Sequence, residues 1–211
     1  MKQVIITGPK HSGKTCTGKA LALLLACDFV DIDELILQKT GKTPRQLFSE
    51  SPDVFKQAEA KALAALVRFL PTIDSLSVKR IIAAGGGIID NPDALAVLKE
   101  VRGEKTSDGL GNTIVIYLNI SADLAWSRIT KGRGLLTRGM QTSGLQNFGS
   151  PSLDNVAELP PFLKTENPQE THRILHERRA AAYRQIADII IEAEEKSSEQ
   201  IVMEIKELVK F

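Results

Sequence analysis

Apolar and polar positions alternate between two periods along this chain. Short runs of β-branched and aliphatic residues read as buried strands: Val4 to Thr7, Phe29-Val30 running to Asp31-Ile32-Asp33, Arg80 to Ala84, Thr113 to Leu118, and Asp188 to Ile191. Between them, apolar positions recur at helical spacing. One helix runs from the end of the Gly8–Thr15 segment to about Ala26, and Glu34 to Lys39 forms another that Gly41 ends. Pro44 to Phe48 reads as a short helix with proline in its first turn. Val54 to Leu70 is a long Ala/Leu-rich helix stopped by Pro71. Asn91-Pro92 opens a helix to about Val101, and Ser121 caps one to about Thr130. Pro168 to Ile186 and Ser197 to Val209 are the last two. Gly103 to Asn112 is a polar loop. Gly132 to Asn167 is rich in Gly, Ser, Pro and Asn, the composition of a lid, a binding loop or disorder. Strands alternating with helices predict a parallel sheet covered on both faces, and no internal repeat interrupts the series.

Composition narrows this picture. The 211 residues suit one domain, and 43% hydrophobic content supplies a sizeable core. A formal net charge of +1 gives no basic field for nucleic acid, so any phosphate must be held by local groups. Cys16 and Cys27 form neither a disulfide framework nor a CxxC pair. The N-terminus lacks the pattern of a signal peptide, and no apolar stretch is long enough to span a bilayer. These features predict a cytoplasmic protein that binds neither membrane nor nucleic acid.

The most informative chemistry lies in Gly8-Pro9-Lys10-His11-Ser12-Gly13-Lys14-Thr15. It follows the first strand and opens the first helix, the context in which a P-loop cradles phosphates. Converging backbone N–H groups and the positive end of the helix dipole favour anionic oxygens there. Lys14 can reach the β- and γ-phosphates, and the Thr15 hydroxyl can ligate Mg²⁺. Cys16 follows directly. His11 stands where many such loops carry glycine, which makes that turn less permissive. Pro9 suits a rigid loop.

Other distinctive residues fall at the carboxyl ends of the strands, where parallel sheets bind ligands. Asp31 and Asp33 point the same way while their strand persists, one suited to Mg²⁺ through water and one to a substrate hydroxyl. The bland alternative is a helix N-terminus with acidic residues in its first turn. Gly85-Gly86-Gly87 carry an entropy cost that a close backbone approach would explain. A tight turn needing one glycine is the alternative. Arg179 and Tyr183 share a helical face, within a cluster that includes Arg178 and Arg184. As an ordinary solvated face, that cluster would pair with Glu177. Arg133 and Arg138 flank Leu135-Leu136 at the mouth of the irregular segment, where arginines suit transition-state charge or mere solubility. His172 and His176 have zinc-like spacing but no evident third ligand, and Trp126 reads as packing its helix on the sheet.

Taken in order, these residues resemble the shikimate kinase family. The carrying motifs are Gly8–Thr15, Asp31/Asp33, Phe55-Lys56-Gln57-Ala58-Glu59, Gly85–Gly87, Arg133-Gly134-Leu135-Leu136 and Arg179…Tyr183, with Ala187-Asp188 following. The resemblance implies a nucleoside-monophosphate-kinase-like fold, a three-layer α/β/α P-loop architecture with a five-stranded parallel sheet; this chain's long segment adds an extended lid. Residues 1–211 would form a single kinase domain, with a substrate-binding helical segment at about 33–70 and a lid at about 133–170. It implies ATP and Mg²⁺, and phosphorylation of a ring hydroxyl of shikimate by a monomeric enzyme. Asp33 would bind the accepting hydroxyl and act as base. Lys56, Arg179 and Gly85–Gly87 would hold the rest of the substrate. Thr15 and Asp31 would serve Mg²⁺. Gly8 through Cys16 would hold ATP, Arg128 would lie against the adenine, and Arg133 would bridge phosphates on lid closure. Lys56 stands where the family pattern has Arg, which gives up the planar fork for a carboxylate. The segment from Gly134 to Glu170 is longer than the family's lid. Those two departures favour a second expectation, a kinase for another polyhydroxy acid of gluconate type. A third is a nucleotide-binding member without activity, against which Lys14, Thr15, Asp33 and Arg133 all stand.

Overall fold

The structure, a computed structural model, describes residues 2–67, 78–102, 112–137 and 159–209. Five strands form one all-parallel sheet: β1 (Lys2–Thr7), β2 (Asp28–Asp31), β3 (Val78–Ala83), β4 (Thr113–Asn119) and β5 (Ile189–Glu192), in the spatial order β2-β3-β1-β4-β5. The helices are α1 (Lys14–Leu24), α2 (Ile32–Thr40), α3 (Pro44–Glu50), α4 (Pro52–Val67), α5 (Pro92–Arg102), α6 (Ala122–Thr137), α7 (Pro168–Ile186) and α8 (Ser198–Val209).

The two-residue period of the strands sorts their side chains into two cores. Ile5, Ile82 and Tyr117 face one way and pack with Ile32 and Ile36 of α2, Leu47 of α3, Leu63 of α4, Leu98 of α5 and Tyr183 of α7. Val4, Ile6, Ile81, Ile116 and Leu118 face the other way, onto Leu21 of α1, Ala125 of α6 and Ile205 of α8. The expected three layers are therefore present, with the sheet buried on both faces.

Local chemistry explains the element boundaries. Thr43 caps α3 in a reciprocal capping box with Gln46, and Pro44 occupies the first helical turn. Gly41 ends α2 at φ 70°, a left-handed position open to glycine. Asn167 caps α7 by accepting from the Glu170 N–H. Asp188 ties β5 to β4: its Oδ2 accepts from the Val115 N–H at 2.9 Å, and its Oδ1 pairs with Arg102.

Three expectations change. β2 ends at Asp31, so Asp33 lies in the first turn of α2 and not on the strand. The strand stops there because Asp31 becomes the helix cap, its Oδ1 accepting the Asp33 N–H at 3.0 Å. α6 continues past Thr130 to Thr137, so Arg133 rides on helix and not on the mouth of a loop. Pro161–Leu163 form a 3₁₀ turn inside the segment expected to be irregular. The expected helix end at Leu70-Pro71, the polar loop over 103–111 and the lid over 138–158, Arg138 included, lie outside the described residues. Among the described residues, no helix is long and apolar enough to cross a membrane.

Candidate active site

The site begins where β1 hands over to α1. Gly8 has φ 146°, and a Cβ there would stand 2.6 Å from the Leu118 carbonyl oxygen, so only glycine fits. Gly13 caps α1 in the left-handed region at φ 96°. His11 also takes a positive φ, 63°, the strained conformation its sequence position suggested. Arg128 of α6 holds that turn by donating from Nη1 to the His11 carbonyl at 2.8 Å. Burial and the neighbouring cations Lys10, Lys14 and Arg128 push the His11 imidazole down to about 4, so it is neutral at pH 7.

The loop is built for phosphate. The Lys14 ammonium is enclosed within it and donates to the Pro9 carbonyl at 2.7 Å. Burial lowers it to about 8 against the opposing pull of Asp33 and Asp31. The Ser12 hydroxyl is buried without a hydrogen-bond partner, an orphan that a phosphate oxygen would satisfy. The Thr15 hydroxyl donates to Asp31 Oδ2 at 2.8 Å. Thr15 and Asp31 thus stand side by side with oxygen donors that suit Mg²⁺. Cys16 is exposed one residue further along α1.

Opposite the loop lies the triple glycine that follows β3. A Cβ at Gly85 would meet Glu59 Oε1 at 2.9 Å and Asp33 Oδ1 at 3.4 Å, so these two carboxylates converge on that backbone. A Cβ at Gly86 would stand 3.2 Å from the Lys10 backbone nitrogen, and one at Gly87 would stand 3.7 Å from Arg179 Nη2. Gly85 and Gly86 therefore have a neighbour at close range, while Gly87 has only ordinary contact, where the sequence alone left a turn needing only one. Arg179 and Tyr183 do share a face of α7: Tyr183 donates its hydroxyl to the Gly86 carbonyl, and Arg179 lies at Gly87. Tyr183 is fixed in turn by stacking on Tyr117, with ring centres 4.9 Å apart.

Asp33 is raised above the ordinary carboxylate range, first by burial and then by Asp31, while Lys14 and Lys10 pull it down. Glu59 of α4 is 1% exposed and is pushed up to about 7 by burial. Asn91 donates to Glu59 Oε2 at 2.9 Å and to the Lys56 carbonyl at 2.8 Å, and also caps α5 by accepting from the Ala94 N–H. Lys56 is half-buried and lines a cleft with Asp53, Gln57, Asn91, Pro92 and Asp93. Its backbone carbonyl, not its ammonium, makes the contact with Asn91.

Arg179 is not simply solvated. It donates from Nε and Nη2 to Asp90 Oδ2, and Arg178 donates to Asp90 Oδ1. Glu177, the partner expected for this cluster, instead accepts from Arg173 at 2.7 Å, one turn earlier on the exposed face. Arg184 lies over the Tyr117 ring. Trp126 packs α6 against α7, its ring 5.5 Å from that of His172, and not against the sheet. His172 and His176 lie nearby with their rings tilted 46° to each other, both lowered first by burial; among the described residues no group of three metal-ligating side chains forms. The Arg133 side chain lies outside the described residues.

Sequence reasoning gave no role to Asp90, Asn91 or Phe162. Asp90 carried a weak signal, an acid three residues after the glycine run. Asn91 read only as a helix opener. Phe162 carried none, because its partner Arg179 is 17 positions away across an irregular stretch.

Known proteins resemble this chain in sequence and in fold. A family model described as shikimate kinase matches residues 10–210. The shikimate kinase of Psychrobacter sp. (strain PRwf-1) is 28% identical over 193 residues, covering 91% of this chain and 83% of that protein. That of Pelotomaculum thermopropionicum is 33% identical over 187 residues, covering 79% of this chain and 98% of that protein. Among solved structures, a shikimate kinase from Acinetobacter baumannii in complex with shikimate is 25% identical with a TM-score of 0.72, covering 100% of this chain and 93% of that one. With its motifs in order, its sheet in the same class and the family match spanning nearly its whole length, the chain belongs to the shikimate kinase family.

Proposed function

We propose that this protein transfers the γ-phosphoryl group of ATP to a ring hydroxyl of shikimate, giving shikimate 3-phosphate for aromatic amino acid biosynthesis. It would work as a single-domain, monomeric cytoplasmic enzyme on this small molecule. The observation that carries the reading is Asp33: its carboxylate stands at Gly85, facing the loop that bears Lys14.

In this reading Gly8 through Cys16 hold the triphosphate, and Lys14 neutralises charge on the β- and γ-phosphates. Thr15 and Asp31 hold Mg²⁺, Asp31 by way of water. That ion would supply charge neutralisation across the phosphates. Asp33 orients the accepting hydroxyl and takes its proton as the bond to phosphorus forms and the bond to the departing ADP breaks. Gly85, Gly86 and Gly87 let the acceptor lie against bare backbone. Arg179 and Lys56 receive its carboxylate side, Arg128 borders the adenine, and Arg133 bridges phosphates when the segment at about 133–170 closes. The helical segment at about 33–70 carries the acceptor side. Catalysis is then alignment plus electrostatics, with little covalent work left to the protein.

One observation favours a second acceptor. Lys56 lacks the planar fork and faces the α5 cleft, which would loosen the grip on shikimate and admit a gluconate-type acid. A coupled assay of ADP release over a panel of polyhydroxy acids tests both. Shikimate giving the highest kcat/KM supports the proposal. Turnover of another acid with none of shikimate would reject it, and tight ATP binding with no turnover of any acid would mark a non-catalytic member.

A further inference from the structure

We propose that Asp90 is a positioning residue for acceptor recognition: it takes the Nε/Nη2 edge of the Arg179 guanidinium and so leaves the adjacent end-on edge to grip the acceptor's carboxylate above Gly87. The inference rests on the shikimate kinase reading given above.

The geometry is specific. Arg179 Nε and Nη2 both donate to Asp90 Oδ2, at 2.8 and 2.6 Å. The other oxygen, Oδ1, accepts from Arg178 Nη2 at 2.9 Å, which holds the carboxylate plane from its far side. A guanidinium carries five N–H donors in a rigid fork. With the Nε edge committed, Nη1 and the second hydrogen of Nη2 remain, the pair that fits a carboxylate bidentately. Nη2 is also the atom nearest Gly87, so the free edge lies at the glycine turn. The Phe162 ring stands 5.6 Å from the centre of the guanidinium and limits its tilt. Arg179 is thereby fixed by an acid, a ring and a bare backbone before any acceptor arrives, and a pre-organised donor loses less freedom on binding.

The charges agree. Arg178 and Arg179 share one partner, Asp90, so the trio keeps one net positive charge, the complement of one acceptor carboxylate. Glu59 faces the same cluster, and burial favours its neutral form there. Asp90 acts through Arg179 and touches no reacting atom in this scheme.

The test is steady-state kinetics on the full-length protein with shikimate and ATP, comparing the parent with Asp90→Asn, Asp90→Ala and Arg178→Ala. A lost hydrogen bond to a charged group corresponds to about a tenfold change. Asp90→Ala is therefore expected to raise the shikimate KM about tenfold. Asp90→Asn, which keeps one accepting oxygen, should raise it about threefold, and the more exposed Arg178→Ala less than about twofold. In each variant kcat and the ATP KM stay within about twofold of the parent. The melting-temperature rise given by ADP with Mg²⁺ should persist in Asp90→Asn while the further rise given by shikimate shrinks. Should Asp90→Ala not fold, the near-isosteric Asn variant carries the measurement. A parallel fall in every parameter would mean a merely structural residue and overturn the proposal. So would a lower shikimate KM, which would make Asp90 a competitor for Arg179. Unchanged kinetics in a parent that does phosphorylate shikimate overturn this inference alone. A parent that does not phosphorylate shikimate overturns the function and this inference together.

Discussion

In the proposed scheme the donor half and the acceptor half of the site are made differently. The donor half is one stretch of chain, β1, Gly8–Thr15 and α1, whose backbone does most of the shaping. The acceptor half is assembled from side chains on α2, α4 and α7 around the glycine turn after β3. One half is specified by conformations that few residues can adopt. The other is specified by which partners meet across long sequence distances. Substitutions should therefore break the first through geometry and the second through charge and hydrogen bonding.

The largest effect should come from the donor half. Lys14→Ala is expected to lower kcat/KM for phosphoryl transfer by about 10³ or more, read in the coupled ADP-release assay, because charge neutralisation is most of the catalysis. Activity at the parent level would remove the basis for the donor half. Next is a paired stability test. Gly8→Ala meets both an unfavourable φ and a carbonyl at 2.6 Å, and should cost about 3 kcal/mol in denaturant unfolding. Gly87→Ala meets only ordinary contact at 3.7 Å and should cost less than about 0.5 kcal/mol. Equal losses would erase the contrast between the halves.

The acceptor half should show itself through pH. The Glu59 carboxyl is raised from 4.5 to about 7 in the folded protein, so between those values the folded state holds a proton that the unfolded chain has released. Its contribution to stability is full below about 4.5 and is lost as pH rises through about 7. Glu59→Gln, which stays neutral, should match the parent near pH 4 and exceed it by up to about 3 kcal/mol at pH 8. A pH-independent difference would mean that burial does not govern this group. A modest effect of opposite sign belongs to His11→Gly, which relieves a left-handed residue and should stabilise the fold by about 1 kcal/mol, measured by thermal unfolding.

The same contrast explains what could be read from the chain. The phosphate loop was legible because its chemistry is contiguous and its flanking periods, two and then helical, say where it sits. The parallel sheet was legible from alternation alone, and the α7 pair Arg179/Tyr183 from its spacing of four. Asp31 was recognised, but the exact point where β2 gives way to α2 depends on one cap hydrogen bond that no periodicity records. Asp90 was missed because its meaning lies in two arginines 88 and 89 positions away. Glu59 stood inside a recognised motif, yet the hydrogen bond it accepts comes from Asn91, just ahead of α5. Pairings of this kind are set by the tertiary fold, and local propensity carries no trace of them.

Gly86 presses bare main chain against the main chain of Lys10, with no side chain of its own between them. In the proposed reaction that contact would set the gap between the two substrates, a ruler made of two peptide planes. Mutation can alter which acid is admitted, or how firmly, through the surrounding side chains. The span its oxygen must cross to reach phosphorus offers no such handle, so drift in substrate choice should leave reaction distance nearly fixed.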